Sequence, residues 1–320
     1  MQCRYFWLRL NKMPRKPLFY SFLCRASARA TLLLLLALAI ACNRGQDNAL
    51  KIKGSDTVLP IAQRFAEVYS GVDPVTEISV TGGGSGVGIA ALMENTTDIA
   101  MSSREIKLNE KLKLNTKGLG YKDPIIAYDA LAACVNPGNS VNSLTREQLE
   151  SIYTGKVRNW KDVGGADMQI VVYSRESSSG THEFFKEKVM NRNEFASDVL
   201  MMPATGAIIQ SVSQTAGAIG YVGLAYINSE VKALKVSYDQ GQTYVEPTTE
   251  NAISRLYPIV RPLYFIFLQD KESKVSPFIS YVMSATGQAE IKRLGFIPVP
   301  LSATVTPEKK PVTIAPEAKK

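Results

Sequence analysis

Between residues 49 and 300, short apolar runs with strand character alternate with stretches whose apolar positions recur every three or four residues. Strands are predicted over 50–53, 77–80, 98–101, 169–173, 219–226 and 233–236. Helices are predicted over 61–69 (IAQRFAEVY), 88–95 (GIAALMEN), 145–153, 181–190 and 276–294, with Pro60 suited to a first helical turn. Two apolar runs, 127–135 and 257–267 (YPIVRPLYFIF), are longer and have no helical period, so they predict two long strands. The alternation points to an α/β fold built on parallel or mixed sheets. The two long strands bracket the middle of the chain, as expected if it leaves one lobe, builds a second and returns. The predicted division is lobe I from 49–128 and 258–300, lobe II from 129–257, and two strands as the hinge.

The ends read differently. Residues 1–29 carry seven basic side chains and no acidic one, and an uninterrupted apolar run follows at 32–41. A basic stretch, a short apolar run and small residues before Cys42 describe an export signal over 1–42. Its apolar run is too short for a spanning helix, which needs about 20 residues. Small residues before a cysteine resemble a bacterial lipobox, with Cys42 as the lipidated residue and 43–48 as a linker to the folded part. The last segment, 301–320, is rich in Lys and Pro and predicts a solvated tail.

The signal also accounts for the charge. The chain has 37 basic and 29 acidic residues; without the seven in the signal the balance is 30 against 29. Nothing in that balance calls for nucleic acid or a polybasic membrane patch. With Cys3, Cys24 and Cys42 assigned to the signal, Cys134 stands alone in an apolar run and is expected to be buried, not reactive. A single histidine, His182, and so few cysteines offer no zinc cluster and no cofactor site of that kind.

The chemistry-bearing residues lie in four turns. KGSDTVLP (53–60), TGGGSG (81–86), DIAMSSR (98–104) and SRESSSGT (174–181) each follow a strand-like run and lead toward a helix-like one. Helix N-termini present unpaired N–H groups and partial positive charge. Thr57, Ser85, Ser103, Ser179 and Thr181 add hydroxyl donors, glycines allow close backbone approach, and Arg175 adds a planar, permanently charged fork. Together they predict a cage for a small tetrahedral oxyanion, with Glu176 or Ser177 orienting the Arg175 fork.

In order and spacing, GSDTVLP, GGGSG, DIAMSSR, IYTGKVRNWKDVGG and SRESSSGT resemble the substrate-binding proteins of phosphate ABC importers, over residues 51–300. The resemblance implies a two-lobed periplasmic-binding-protein fold of type II. It also implies phosphate ligands at Thr57, Val58 (through its N–H), Ser85, Arg175, Ser179, Gly180 and Thr181. The partners it implies are an ABC permease with its ATPase; a monomer anchored to a membrane through Cys42, in the periplasm or at the cell surface, fits this reading, and no enzymatic activity is implied.

One position departs from the family pattern. Some members place an Asp after the third strand, able to accept the proton that phosphate keeps and sulfate lacks. Ser103 stands there, followed by Arg104. Asp56 or a lone pair of Ser103 is then the expected acceptor, and Arg104 is either a second cation or the partner of a carboxylate. Sulfate or molybdate, or a sensing role without import, remain open alternatives. A different class is suggested by the GxGxxA pattern at Gly86–Ala91, which matches a dinucleotide fingerprint and would make the protein an NADP-dependent oxidoreductase.

Overall fold

The computed structural model describes residues 49–300. The first strands are β1 (Leu50–Gly54), β2 (Ile78–Thr81), β3 (Ile99–Ser102), β4 (Tyr121–Lys122), β5 (Ile125–Val135) and β6 (Ser143–Thr145). They are followed by β7 (Val171–Arg175), β8 (Leu200–Met202), β9 (Ala218–Gly223), β10 (Lys232–Ala233), β11 (Lys235–Ser237), β12 (Val260–Leu268) and β13 (Ile297–Pro298). The expected signal ending at Cys42, the 43–48 linker and the 301–320 tail lie outside the described residues.

A mixed sheet runs in the order β2-β1-β3-β12-β5-β9-β7-β8. β1 pairs in parallel with β2 and β3, and β7 pairs in parallel with β8 and β9. Between these groups, β12 runs antiparallel to β3 and β5, and β5 antiparallel to β9. The two parallel groups are therefore continuous in hydrogen bonding through the long strands. The first part of β5 pairs with β12 and its last part, Leu131–Val135, pairs with β9. A small second sheet joins β6 to β11.

The buried apolar side chains divide along the same line. One set gathers Leu50, Phe65, Ile99, Ile126, Leu263 and Phe278; another gathers Leu131, Tyr153, Trp160, Phe185, Tyr221 and Ile259. Cys134 is fully buried on β5, and burial pushes its thiol up to about 12, so it stays protonated. No helix among the described residues is long and apolar enough to cross a membrane.

Several elements differ from the sequence pattern. The helix predicted over 276–294 is two helices, Glu272–Met283 and Ala285–Arg293. Ser284 breaks it in an extended conformation, and its hydroxyl accepts from Gly287 N–H to start the second. The strand predicted to 226 stops at Gly223 and turns into a short 3-10 segment carrying Tyr226. Helices at Leu108–Thr116 and Thr205–Gln214 have no counterpart in the predicted elements, and both touch the site.

Candidate functional site

The four hydroxyl-bearing turns meet. β1, β2 and β3 are parallel, so the loops after them leave from one edge of the sheet, where ligands bind in open α/β folds. The loop after β7 approaches from the other parallel group. Thr57 Oγ1 lies 3.0 Å from Thr181 Oγ1, and Gly86 N–H donates to Ser178 O at 2.9 Å. Ser85 Oγ lies 3.3 Å from Ser103 Oγ. A Cβ on Gly180 would fall 2.4 Å from Ser85 Oγ and 2.6 Å from Ser103 Oγ, so only glycine lets this helix start so close to both hydroxyls. Thr57, Ser85, Ser103, Ser179 and Thr181 are all buried.

Two helices begin at this point, Ser85–Met93 and Gly180–Lys188. Gly84 precedes the first at φ 92°, a conformation that favours glycine, and a Cβ there would meet Ser178 O at 2.9 Å. Ser179 caps the second by accepting from Thr181 N–H at 3.2 Å. Their N-terminal dipoles bring positive potential to the cluster.

Each nitrogen of the Arg175 fork has a protein partner, and one N–H of Nη1 is left for a ligand. Nε donates to Met202 O at 3.2 Å, Nη1 to Thr205 Oγ1 at 3.0 Å, and Nη2 to Pro203 O at 2.8 Å and Asp56 Oδ2 at 2.5 Å. Glu176 and Ser177, expected to orient this fork, are exposed instead. The orienting groups come from β8, the Thr205–Gln214 helix and the first turn. Asp56 is itself fixed: its Oδ1 accepts from Gly83 N–H at 3.1 Å, and its carbonyl accepts from Tyr226 Oη–H at 2.6 Å.

Neighbouring donors already occupy oxygens of the cage hydroxyls. Thr57 Oγ1 accepts from Arg261 Nη2 at 3.3 Å, Ser85 Oγ from Ser103 N–H at 3.1 Å, and Ser179 Oγ from Thr181 N–H. Each of these three hydroxyls accepts from the protein, and its own proton remains to donate, for Thr57 to Thr181 Oγ1 or an anion and for Ser85 to Ser103 Oγ or an anion. Val58 departs from expectation: its N–H closes onto Ser55 O at 3.1 Å as the backbone turns into the Leu59–Tyr69 helix.

Arg104 pairs with a carboxylate: its two terminal nitrogens reach the two oxygens of Glu110 at 2.8 Å each. Arg104, Glu110 and the backbone of Lys107, which also donates to Glu110, tie the loop after β3 to the Leu108–Thr116 helix. These contacts hold Glu110 below the usual carboxylate range, against the opposing effect of burial, which is the largest single influence. His182 is buried beneath the site, stacked on Phe195 at 4.5 Å, with Nδ1 2.8 Å from Arg175 O. It braces the arginine's backbone.

The GxGxxA run falls inside the Ser85–Met93 helix and forms no phosphate-wrapping loop. A Cβ on Gly88 would lie 2.5 Å from Lys53 O, so that glycine serves close packing of helix on strand. The dinucleotide reading is set aside on this ground. No His/Cys/Asp/Glu cluster able to hold a metal occurs among the described residues.

Four contributors were missed by sequence reasoning: Thr205, Tyr226, Arg261 and Asp129, whose Oδ2 accepts from Arg261 Nη2 at 2.9 Å. Asp129 and Arg261 carried a legible signal, being single charges inside long apolar strands, where a charge must find a partner. Thr205 and Tyr226 carried none, because each depends on an element boundary that the apolar pattern does not mark.

A family model for the PBP superfamily domain matches residues 39–286. The phosphate-binding protein PstS of Borreliella burgdorferi is 33% identical over 278 residues, covering 83% of this chain and 96% of its own. PstS of Pseudomonas aeruginosa is 31% identical over 274 residues, covering 80% of this chain and 84% of its own. A crystal structure from Clostridium perfringens, described as a phosphate ABC transporter substrate-binding protein with bound phosphate, superposes with a TM-score of 0.73 at 34% identity. It spans 79% of this chain and all of its own. The chain belongs to the PBP superfamily and, within it, to the family of the phosphate-binding protein PstS.

Proposed function

We propose that this protein captures inorganic phosphate between two lobes, 49–128 with 258–300 and 129–257, and delivers it to an ABC permease for import. The observation that carries the reading is the packing of Gly180 against Ser85 and Ser103, next to the Thr57–Thr181 pair and two helix N-termini. A dense set of oriented hydroxyl donors suits retention of a dianion. Thr57, Ser85, Ser103, Arg175, Ser179, Gly180 and Thr181 form the proposed ligand set, and Asp56 accepts the proton of the bound anion. The protein acts by binding and release, without covalent chemistry, as an exported monomer held to a membrane through a lipid on Cys42.

Uptake of labelled phosphate at low external concentration tests delivery. Cells carrying Thr181→Val in place of the native gene are expected to take up phosphate far more slowly than cells with the native protein. Equal uptake would overturn the import role. Loss of membrane association in Cys42→Ala cells checks the anchor, and retention there would remove it.

A further inference from the structure

β5 and β12 are the strands that join the two parallel groups, and each carries one charged residue in its apolar interior. Asp129 and Arg261 are direct cross-strand partners in that pairing. Both side chains are 1% exposed. Asp129 Oδ2 accepts from Arg261 Nε at 3.2 Å and from Nη2 at 2.9 Å. Room for the carboxylate comes from Gly223, where a Cβ would lie 2.8 Å from both Asp129 oxygens.

A buried ion pair is expensive to desolvate, and on stability grounds alone an apolar pair of similar volume serves as well or better. Here the guanidinium reaches beyond its carboxylate. Nη2 also lies 3.3 Å from Thr57 Oγ1, the hydroxyl that meets Thr181 across the cage. Nη1 is buried with no hydrogen-bond partner among the described residues. Leaving such a donor unpaired is costly, which is more than a strut between strands requires. Burial draws the guanidinium below its ordinary range, Asp129 opposes that, and the charge of Arg175 adds to the lowering, so the two arginines act on one another.

Resting on the phosphate reading above, we infer that Arg261 is a second cation of the anion site, a positioning residue that acts through Thr57. An arginine has no acceptor, so Thr57 oxygen accepts in this contact and its proton points away from the guanidinium, to the side where Thr181 Oγ1 and the ligand lie. Thr57 then faces an oxygen of the anion that bears no proton. The P–OH is left to the side of the site where Asp56 lies. Asp129 holds the guanidinium in orientation by accepting from both Nε and Nη2. Because both residues sit on the joining strands, the polarity of Thr57 is set from the sheet and not from a loop.

The test is calorimetric titration of phosphate into the purified protein, with Arg261→Met and Asp129→Leu made together so that no unpaired charge is left buried. Phosphate affinity is expected to fall by about tenfold or more, the scale of a lost charge-assisted contact. The fall should be larger in mildly alkaline buffer, where phosphate carries its second charge, than in mildly acidic buffer. Thr57→Val should cost less in this background than in the native protein, because the two residues act as a unit. Equal costs of Thr57→Val in both backgrounds would overturn the inference. If the paired variant does not fold, Arg261→Lys keeps the charge but lacks the fork that reaches both Asp129 and Thr57. Native affinity in that variant would overturn the inference equally. Absence of phosphate binding by the native protein is a separate result, and would remove the reading on which the inference rests.

Discussion

Arg175 Nη2 donates to Asp56 Oδ2 at 2.5 Å, although 119 positions separate the two residues in the chain. Asp56 lies in the turn after β1, and Arg175 is the last residue of β7. Their bond joins loops from the two parallel strand groups and cancels much of the charge that Arg175 brings. In the proposed function the anion is therefore held mainly through oriented hydroxyls and helix N-termini, with Asp56 as the negative group beside them.

In the proposed function Asp56 is the reader of the anion's proton. Phosphate offers a P–OH to a carboxylate, whereas sulfate presents only repulsion. Asp56→Asn is expected to weaken phosphate binding and strengthen sulfate binding, lowering the preference by about tenfold or more. Titration with both anions measures it. An unchanged ratio would pass the acceptor role to Ser103.

Gly180 offers a test of the cage by volume. It has no positive φ, so alanine meets no backbone penalty there. Its methyl group would nonetheless collide with Ser85 Oγ and Ser103 Oγ. Overpacking of this kind costs roughly 1–3 kcal/mol, and here it displaces two hydroxyls of the proposed ligand set. Gly180→Ala should keep a cooperative thermal transition within a few degrees of native while phosphate binding drops out of calorimetric range. Intact binding would mean that the anion sits elsewhere.

His182 gives the protein an acid-sensitive support. Burial lowers its pKa, and the contact with Arg175 O only partly offsets this. The folded protein thus binds fewer protons than the unfolded chain. Stability is fully present above the unfolded value of about 6.5 and declines as pH falls through it toward the folded value. Urea midpoints at neutral and mildly acidic pH should drop more for the native protein than for His182→Asn. Parallel declines would exclude His182 as the cause.

The strand–helix alternation, the two long strands and the four hydroxyl turns were legible in the sequence because period and turn chemistry are local properties. The ends of elements were not: Ser284 splits a predicted helix through an extended backbone that apolar spacing does not reveal. Within the site, hydroxyls and glycines could be named from the turns that carry them. The groups that orient Arg175 could not, since Thr205 and the carbonyls of Met202 and Pro203 reach it only through the packing of β8 and the following helix. Glu176 was the nearest acid in sequence and points to solvent, while the true partner is Asp56, in a turn from the other strand group.

The proposed function requires that these turns form a cage for phosphate. Its most direct test is calorimetric titration of the purified protein after unfolding, removal of bound anion and refolding. Saturable heat with phosphate at one anion per chain, and none with sulfate at the same concentration, is the predicted result. Heat with sulfate and none with phosphate would contradict it.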